Sequence, residues 1–464
     1  MSAHNTTVKG AAKIMLHART ALLPGGWAGD VAVQIVDGRI ADVVIGAAPA
    51  GQIVDCLLAA PANLHSHSFQ RAFAGMTEAR GAGQDSFWTW RSLMYRFLDH
   101  LTPEDVQSIA AMVMMEMAEA GYGAVAEFHY LHHAPGGREY SDLAEMSGRI
   151  AQAAAQTGLG LTHLPVLYER GGCDGRDLAA GQLRFGNDAD RFLRLWQATQ
   201  GALRELPADT VLGVAPHSLR AASATGIAMA AGLSPESPIH IHVAEQLAEV
   251  DEVLAHTGAR PVQWVLDNHD VSARWCLIHA TQMVPSETER LAASGAVAGL
   301  CPITEANLGD GIFDAVRYHT AGGRFGVGSD SNVRISLSEE LRSLEYSQRL
   351  AGRGRAMLAE PGRSTGRVLY QTACEGGALA AGRASGAIAV GMWADLMALD
   401  CSGPDMATRA GDMLLDTFIF AGDDRMVADV WSAGRHIVTG GRHIARDSIA
   451  ARFRATMRRL HDQV

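Results

Sequence analysis

Two histidines separated by one residue, His65-Ser66-His67, close a short apolar run. In a β-strand, residues two apart project from the same face, so both imidazoles can reach one ion; on a helix they would diverge by roughly 200°. Three more stretches end the same way. Ile239-His240-Ile241-His242-Val243-Ala244-Glu245 supplies histidines and a carboxylate, Trp275 to Ile278 runs into His279, and Arg324 to Gly328 runs into Ser329-Asp330-Ser331. His240 and His242 share a face and compete for one role; His242, nearer the carboxyl end, is taken as the ligand and His240 as a packed barrel histidine. His65, His67, His242 and Asp330 then offer three imidazoles and a carboxylate, a donor set for Zn2+, with Fe2+ as the alternative. Such an ion lowers the pKa of water from about 15.7 toward 7, giving a nucleophile for a carbon–nitrogen bond. Glu245 is the expected proton carrier between water and the departing nitrogen; orienting a ligand histidine is its competing role. His279 is expected to steady the charge on the attacking oxygen.

These residues need a scaffold that gathers strand ends. From about 59 to 384, short runs rich in Val, Leu and Ile alternate with longer helical stretches, the pattern of βα units around a parallel sheet. The strand candidates are Leu58 to Leu64, Ala124 to Phe128, Leu159 to Leu167, Val211 to Ala215, Ile239 to Val243, Trp275 to Ile278, Ala296 to Leu300 and Arg324 to Gly328. Eight such strands make a (β/α)8 TIM-like barrel, whose active sites sit at the carboxyl ends of the strands. Thr102-Pro103-Glu104-Asp105 reads as a helix start. The expected strands Lys13 to His17, Val31 to Ile35 and Ile40 to Ile45, around the turn Asp37-Gly38, precede the barrel; Leu396 to Leu399, Val427 to Val438 and a helix from Ser448 to Leu460 follow it. The expected division is therefore a small β-sandwich domain from 1–58 and 385–464, and a barrel from 59–384.

Composition removes other chemistries. Only Lys9 and Lys13 are lysines, so thirty-seven of the thirty-nine basic residues are arginines. A Schiff-base lysine, a P-loop lysine and a carboxylated lysine bridging two metals are excluded from the barrel. A net charge of −11 without a basic cluster argues against nucleic acid or an anionic membrane as partner. No run approaches the roughly 18 apolar residues of a membrane span, and the start lacks signal-peptide features, so a cytoplasmic protein is expected. The six scattered cysteines are expected to be reduced, mostly buried thiols.

Over nearly its whole length the chain resembles the amidohydrolase superfamily, which has an HxH after the first strand, histidines after the fifth and sixth, and aspartate after the eighth. The His242 to Glu245 spacing and the lysine-free barrel resemble its mononuclear deaminases. Six blocks are similar to the formimidoylglutamate deiminase family: PANLHSHSFQRAFAG (61 to 75), DSFWTWRSLMYR (85 to 96), AVAEFHYLHH (124 to 133), PHSLRA (216 to 221), HIHVAEQ (240 to 246) and TEANLGDGIF (304 to 313). The resemblance implies hydrolysis of N-formimidoyl-L-glutamate to N-formyl-L-glutamate and ammonia in histidine degradation. It also implies one Zn2+ per subunit and a homodimer. Its catalytic set would be Glu245, His279 and Asp330, and Gln70, Arg91, Tyr130, His217 and Arg220 would hold substrate. Asn332 departs from the histidine expected there in some relatives.

A dicarboxylate carrying a cationic formamidine needs positive groups at one end and negative ones at the other. Arg91 and Arg220 can each grip a carboxylate through two parallel hydrogen bonds, while Asp330 and Glu245 meet the amidinium. Phe87, Trp88 and Trp90 are expected to shape an access loop. Asn307-Leu308-Gly309-Asp310-Gly311 is expected to border the pocket without chemical duty. Two other functions fit parts of the pattern: deamination of a purine, pyrimidine or triazine ring, which calls for a stacking pocket instead of paired arginines, and a catalytically silent scaffold, which need not keep the ligands.

Overall fold

The computed structural model describes residues 13–78 and 87–463, with the backbone alone for residues 87–92. The amino-terminal strands Lys13–Leu23, Gly26–Val36 and Arg39–Ile45 pair antiparallel. The last two join through Asp37 (φ 50°) and Gly38 (φ 80°), the left-handed pair that a tight hairpin needs. A Cβ on Gly38 would lie 2.7 Å from Ala433 O, so close approach also requires glycine there. Strand Gln52–Ala59 pairs with Lys13–Leu23 on one side and with Leu396–Leu399 on the other. Val427–Ser432, Arg435–Thr439 and Arg442–His443 continue the same eight-stranded sheet, which therefore unites both ends of the chain. Ile40 N donates to Met392 O and Ala394 N to Gly38 O, both at 2.9 Å, so the hairpin at Asp37-Gly38 folds against the segment that leads into Leu396–Leu399.

Among the described residues, the barrel strands are Ala62–Ser66, Ala124–His129, Gly160–Leu167, a split fourth at Val211–Leu212 and Ala215–Pro216, Ile239–Val243, Trp275–His279, Val297–Leu300 and Arg324–Val327. They pair in parallel as two sheets. Bridges Val214 to Ile239 and Ser66 to Asp330 join the sheets and close the barrel. The strands are buried almost throughout, as a parallel sheet with helices outside requires. The helix Pro103–Glu119 starts with a capping box: Asp105 N donates to Thr102 Oγ1 at 3.3 Å, and Thr102 N to Asp105 Oδ2 at 2.9 Å. Helix Thr365–Ala380 ends under the barrel floor, where Ala380 O meets His240 Nε2 at 2.8 Å and Ala381 O accepts from Thr162 Oγ1 at 2.6 Å.

One buried ion network ties barrel to sheet. Arg383 donates from Nε to Asp395 Oδ2 (3.1 Å) and from Nη2 to Asp209 Oδ2 (3.0 Å), and Asp209 also receives Arg435. Asp395 and Arg435 border the sheet strands, whereas Asp209 precedes the fourth barrel strand.

Several expected boundaries change. The run Leu58 to Leu64 is two strands, because the chain passes from sheet to barrel at Ala60-Pro61, and hydropathy cannot mark a boundary buried on both sides. Val427 to Val438 is a hairpin turning at Ala433 (φ 42°) and Gly434 (φ 74°). The carboxy-terminal helix runs Arg446–His461. The six cysteines are free, five of them buried, and no described helix is long and apolar enough to cross a membrane.

Candidate active site

The ends of the first, fifth and eighth strands bring His65, His67, His242 and Asp330 together, all buried, with their ligand atoms within 4.8 Å of one another. Asp330 Oδ1 lies 3.4 Å from His65 Nε2 and 3.3 Å from His67 Nε2, and His242 Nε2 is 3.0 Å from His65 Nε2. Backbone carbonyls set two of the tautomers: His67 Nδ1 donates to Phe128 O at 2.9 Å and His242 Nδ1 to His217 O at 3.1 Å. That leaves Nε2 lone pairs aimed at a shared point. Burial lowers the pKa of all three histidines, that of His65 to about 3, so the imidazoles are neutral and ready to ligate. Asp330 stays ionised despite its burial, because His65, His279 and His67 hold its pKa below the ordinary value. Lone pairs converging beside a carboxylate repel unless a cation lies between them, so this donor set fits a divalent metal.

Glu245 and His279 flank the cluster. His279 Nε2 lies 3.7 Å from Glu245 Oε1 and 3.8 Å from Asp330 Oδ2, while its Nδ1 meets Glu305 Oε1 at 3.2 Å. Desolvation alone would lower the His279 pKa, but Glu245, Glu305 and Asp330 together raise it to about 10. A cation in the adjacent cluster would oppose that protonation. Burial raises the Glu245 pKa against the pull of His279, which keeps its carboxyl poised to exchange a proton. Strand exits through left-handed residues aim these groups: Ala244 (φ 50°), His279 (φ 67°) and Asp330 (φ 45°). Each costs on the order of 1 kcal/mol or more and persists because neighbouring hydrogen bonds over-determine it. Asp330 N donates to His65 O, and His67 N to Asp330 O, both at 2.9 Å.

A cavity of about 450 Å³ opens on this cluster, lined by Gln70, Tyr130, His217, Arg220, Glu245 and His279 among others. Gln70 Nε2 donates to Tyr130 OH at 2.7 Å, and the Gln70 Oε1 has no hydrogen-bond partner among the described residues. His217 Nδ1 lies 3.1 Å from Ser218 Oγ. Arg220 lies 3.8 Å from Glu249 Oε2, and its buried Nε has no hydrogen-bond partner among the described residues. The side chains of Arg91, Phe87, Trp88 and Trp90 lie outside the described residues; the backbone at 87–90 and 91 belongs to helix Phe87–His100. Leu308 borders the cavity. His240 reaches the barrel floor and stays outside the group of His65, His67, His242 and Asp330.

The site also uses residues that carried no signal in the sequence. Glu305 stands in the first turn of helix Pro302–Leu308 and accepts from Cys301 N at 2.9 Å as well as meeting His279. Glu249, on helix Leu247–Thr257, accepts from Ala244 N and Glu245 N, both at 3.2 Å, and so holds the loop that carries the proton shuttle candidate. Glu127 Oε1 accepts from Ser68 N and Oγ at 2.8 and 2.7 Å, fixing the turn after His67. Asn332, the departure from some relatives, donates to Ser66 Oγ at 3.2 Å and accepts from Ser329 Oγ at 2.6 Å, lacing the eighth strand's exit to the first. Acidic residues at helix starts are common, so spacing alone gave Glu305 and Glu249 no distinction.

A model of the amidohydrolase family matches residues 57–437, and one of the N-terminal domain of formimidoylglutamate deiminase HutF matches residues 13–52. Formimidoylglutamate deiminase from Pseudomonas aeruginosa is 48% identical, over 96% of this chain and 99% of that protein. An amidohydrolase structure from Brucella melitensis, 47% identical, superposes with a TM-score of 0.93, covering 96% of this chain and 99% of that one. An adenosine deaminase from Xanthomonas campestris with bound zinc shares the fold at 21% identity, with a TM-score of 0.80 and coverage of 97% and 98%. With strand-end ligands, barrel and both-ends sheet all in place, the chain belongs to the amidohydrolase family, in its formimidoylglutamate deiminase branch.

Proposed function

We propose that the protein hydrolyses N-formimidoyl-L-glutamate to N-formyl-L-glutamate and ammonia, in histidine degradation. The observation that carries this reading is Arg220, a largely buried guanidinium in the same cavity as the histidine cluster, whose Nε has no hydrogen-bond partner among the described residues. A neutral ring base would add no counter-charge to that supplied by Glu249, whereas a substrate carboxylate pairs with the guanidinium directly. His65, His67, His242 and Asp330 would hold one divalent ion, zinc by donor chemistry, and the ion when bound supplies an acidified water at neutral pH.

In this reading Arg220 and Arg91 each bind a carboxylate, with donors from His217, Gln70 and Tyr130 fixing the rest of the chain. Glu245 accepts the water proton at Oε1 and delivers it to the departing nitrogen. His279, held at Nδ1 by Glu305, presents Nε2 to the oxygen that gains charge at the formimidoyl carbon. The negative groups Asp330 and Glu245 attract the amidinium and set it on the reacting side. The barrel is assigned to 59–384 and the supporting domain to 1–58 and 385–464. A homodimer in the cytoplasm completes the reading, with sedimentation and cell fractionation as its checks.

Zinc-loaded protein incubated with formimidoylglutamate is expected to release ammonia and formylglutamate in equal amounts. Formiminoaspartate and guanine run beside it should turn over far more slowly. Guanine as the better substrate would establish the ring-deaminase reading, and no turnover of any of the three by fully metallated protein would favour a silent scaffold.

A further inference from the structure

The eight-stranded sheet carries a separate cavity of about 480 Å³, lined by Arg19, Thr20, Asp55, Cys401, Arg409 and Leu414 among others. Cys401 is the one cysteine of the six that is partly exposed; the other five are buried. Its position follows from strand register. Leu399 lies opposite Cys56 in the antiparallel pair, and two residues later Cys401 N donates to Asp55 Oδ2 at 3.2 Å. Thr20, on the cavity wall, is registered with Cys56 from the other side. Cys401 is thus folded back over residues 55 and 56, and its thiol donates to Leu399 O at 3.9 Å. The neighbouring Cys56 holds the Cys401 thiol below its ordinary pKa against burial and the nearby Asp55 and Asp400, while the fully buried Cys56 is raised. Arg19, 3.2 Å from Asp55, and the exposed Arg409 bring positive charge to the same cavity.

We propose that Cys401 and Cys56 are a redox pair, in which Cys401 at the cavity wall reacts with a small anionic disulfide, oxidised glutathione, and passes the oxidation to Cys56. The Cys401 thiolate attacks one sulfur of the disulfide, forms a mixed disulfide and expels one glutathione thiolate. Cys56 gives its proton to a thiolate in the cavity and attacks the Cys401 sulfur, expelling the second glutathione. The two protein thiols lose two electrons, and the disulfide becomes two thiols. Cys401 lies in the irregular segment between Leu396–Leu399 and Pro404–Met406, so its backbone can adjust to the separation a disulfide needs. The guanidiniums suit the carboxylates of the oxidant, and both cysteines lie outside the proposed deiminase site.

Full-length, zinc-loaded protein incubated with oxidised glutathione, quenched in acid, alkylated and mapped by mass spectrometry without reduction tests the pair. A peptide linking Cys56 to Cys401 is expected, with two of the six free thiols lost and restored by reductant. Cys401 should react at least about tenfold faster than any other cysteine. Cys401→Ser should keep deiminase turnover and lose the reaction; Cys56→Ser should stop at glutathione on Cys401. Retention of all six thiols, equal thiol loss in Cys401→Ser, or a parent protein that stops at the mixed disulfide would each overturn the pair.

Discussion

Replacing Arg220 by methionine separates a dicarboxylate substrate from every substrate without one. The guanidinium is largely buried, its Nε has no hydrogen-bond partner among the described residues, and Glu249 stands 3.8 Å from Nη2 as its resident counter-charge. A bound carboxylate gains two charge-assisted hydrogen bonds, each worth about 1.5–3 kcal/mol. Competition from Glu249 offsets part of that, so the net loss on removing the arginine is about 2–4 kcal/mol. At about 1.4 kcal/mol per tenfold, kcat/KM for formimidoylglutamate should fall roughly 30- to 1000-fold. N-propylformamidine carries the same reacting group and no carboxylate, so its slow hydrolysis should change less than about threefold. Removing the charge also leaves Glu249 buried with only two backbone donors. Thermal unfolding must therefore accompany the kinetics, and the comparison of two substrates on one variant cancels any loss of folded enzyme. Coupled detection of ammonia reads both reactions. Equal losses for the two amidines would refute a carboxylate contact and leave Arg220 as a partner of Glu249 alone.

Glu245→Gln should retain its metal by atomic absorption yet lose about 10²–10⁴ in kcat, because the amide keeps the shape and cannot carry the proton. Gly328→Ala should weaken metal binding by about tenfold or more in chelator competition: a Cβ there would lie 2.7 Å from His65 N and O, so the first ligand must move. Stability should fall in acid through histidines outside the site. His129, His132 and His163 form a buried ring cluster, and burial lowers all three, His163 to about 3. Because the unfolded chain protonates first, their contribution is complete above pH 6.5 and is lost as the pH falls from there toward 3, by about 1.4 kcal/mol per pH unit per histidine. His163→Gln should flatten urea-midpoint curves between pH 6.5 and 4 by one proton's worth, and an unchanged slope would show that His163 does not remain neutral.

The grouping of candidate ligands was legible because its signal is local. His65 and His67 share a strand face, and Glu245 follows His242 at a strand end. Each motif needs only a few residues of chain to be recognised. The capping box at Thr102 was legible for the same reason. The break at Ala60-Pro61 was not, since buried strands of two different sheets make one uninterrupted apolar run. Nor did sequence alone assign partners: Glu305 reaches His279 and Glu249 reaches Arg220 only after neighbouring βα units are laid side by side.

By itself the sequence determined which residue types stand at the strand ends, and it removed lysine chemistry from the barrel. Alternation and turn residues are short-range properties, fixed by backbone geometry. Tertiary structure decided everything that depends on closure. Asp330 meets His65 because the eighth strand bridges the first at Ser66, and Asn332 secures that seam. His67 and His242 point their Nε2 atoms inward because carbonyls of the second strand and the loop after the fourth take their Nδ1 protons. Those partners are distant in the chain and adjacent only once the barrel has closed, so no local pattern could have placed them.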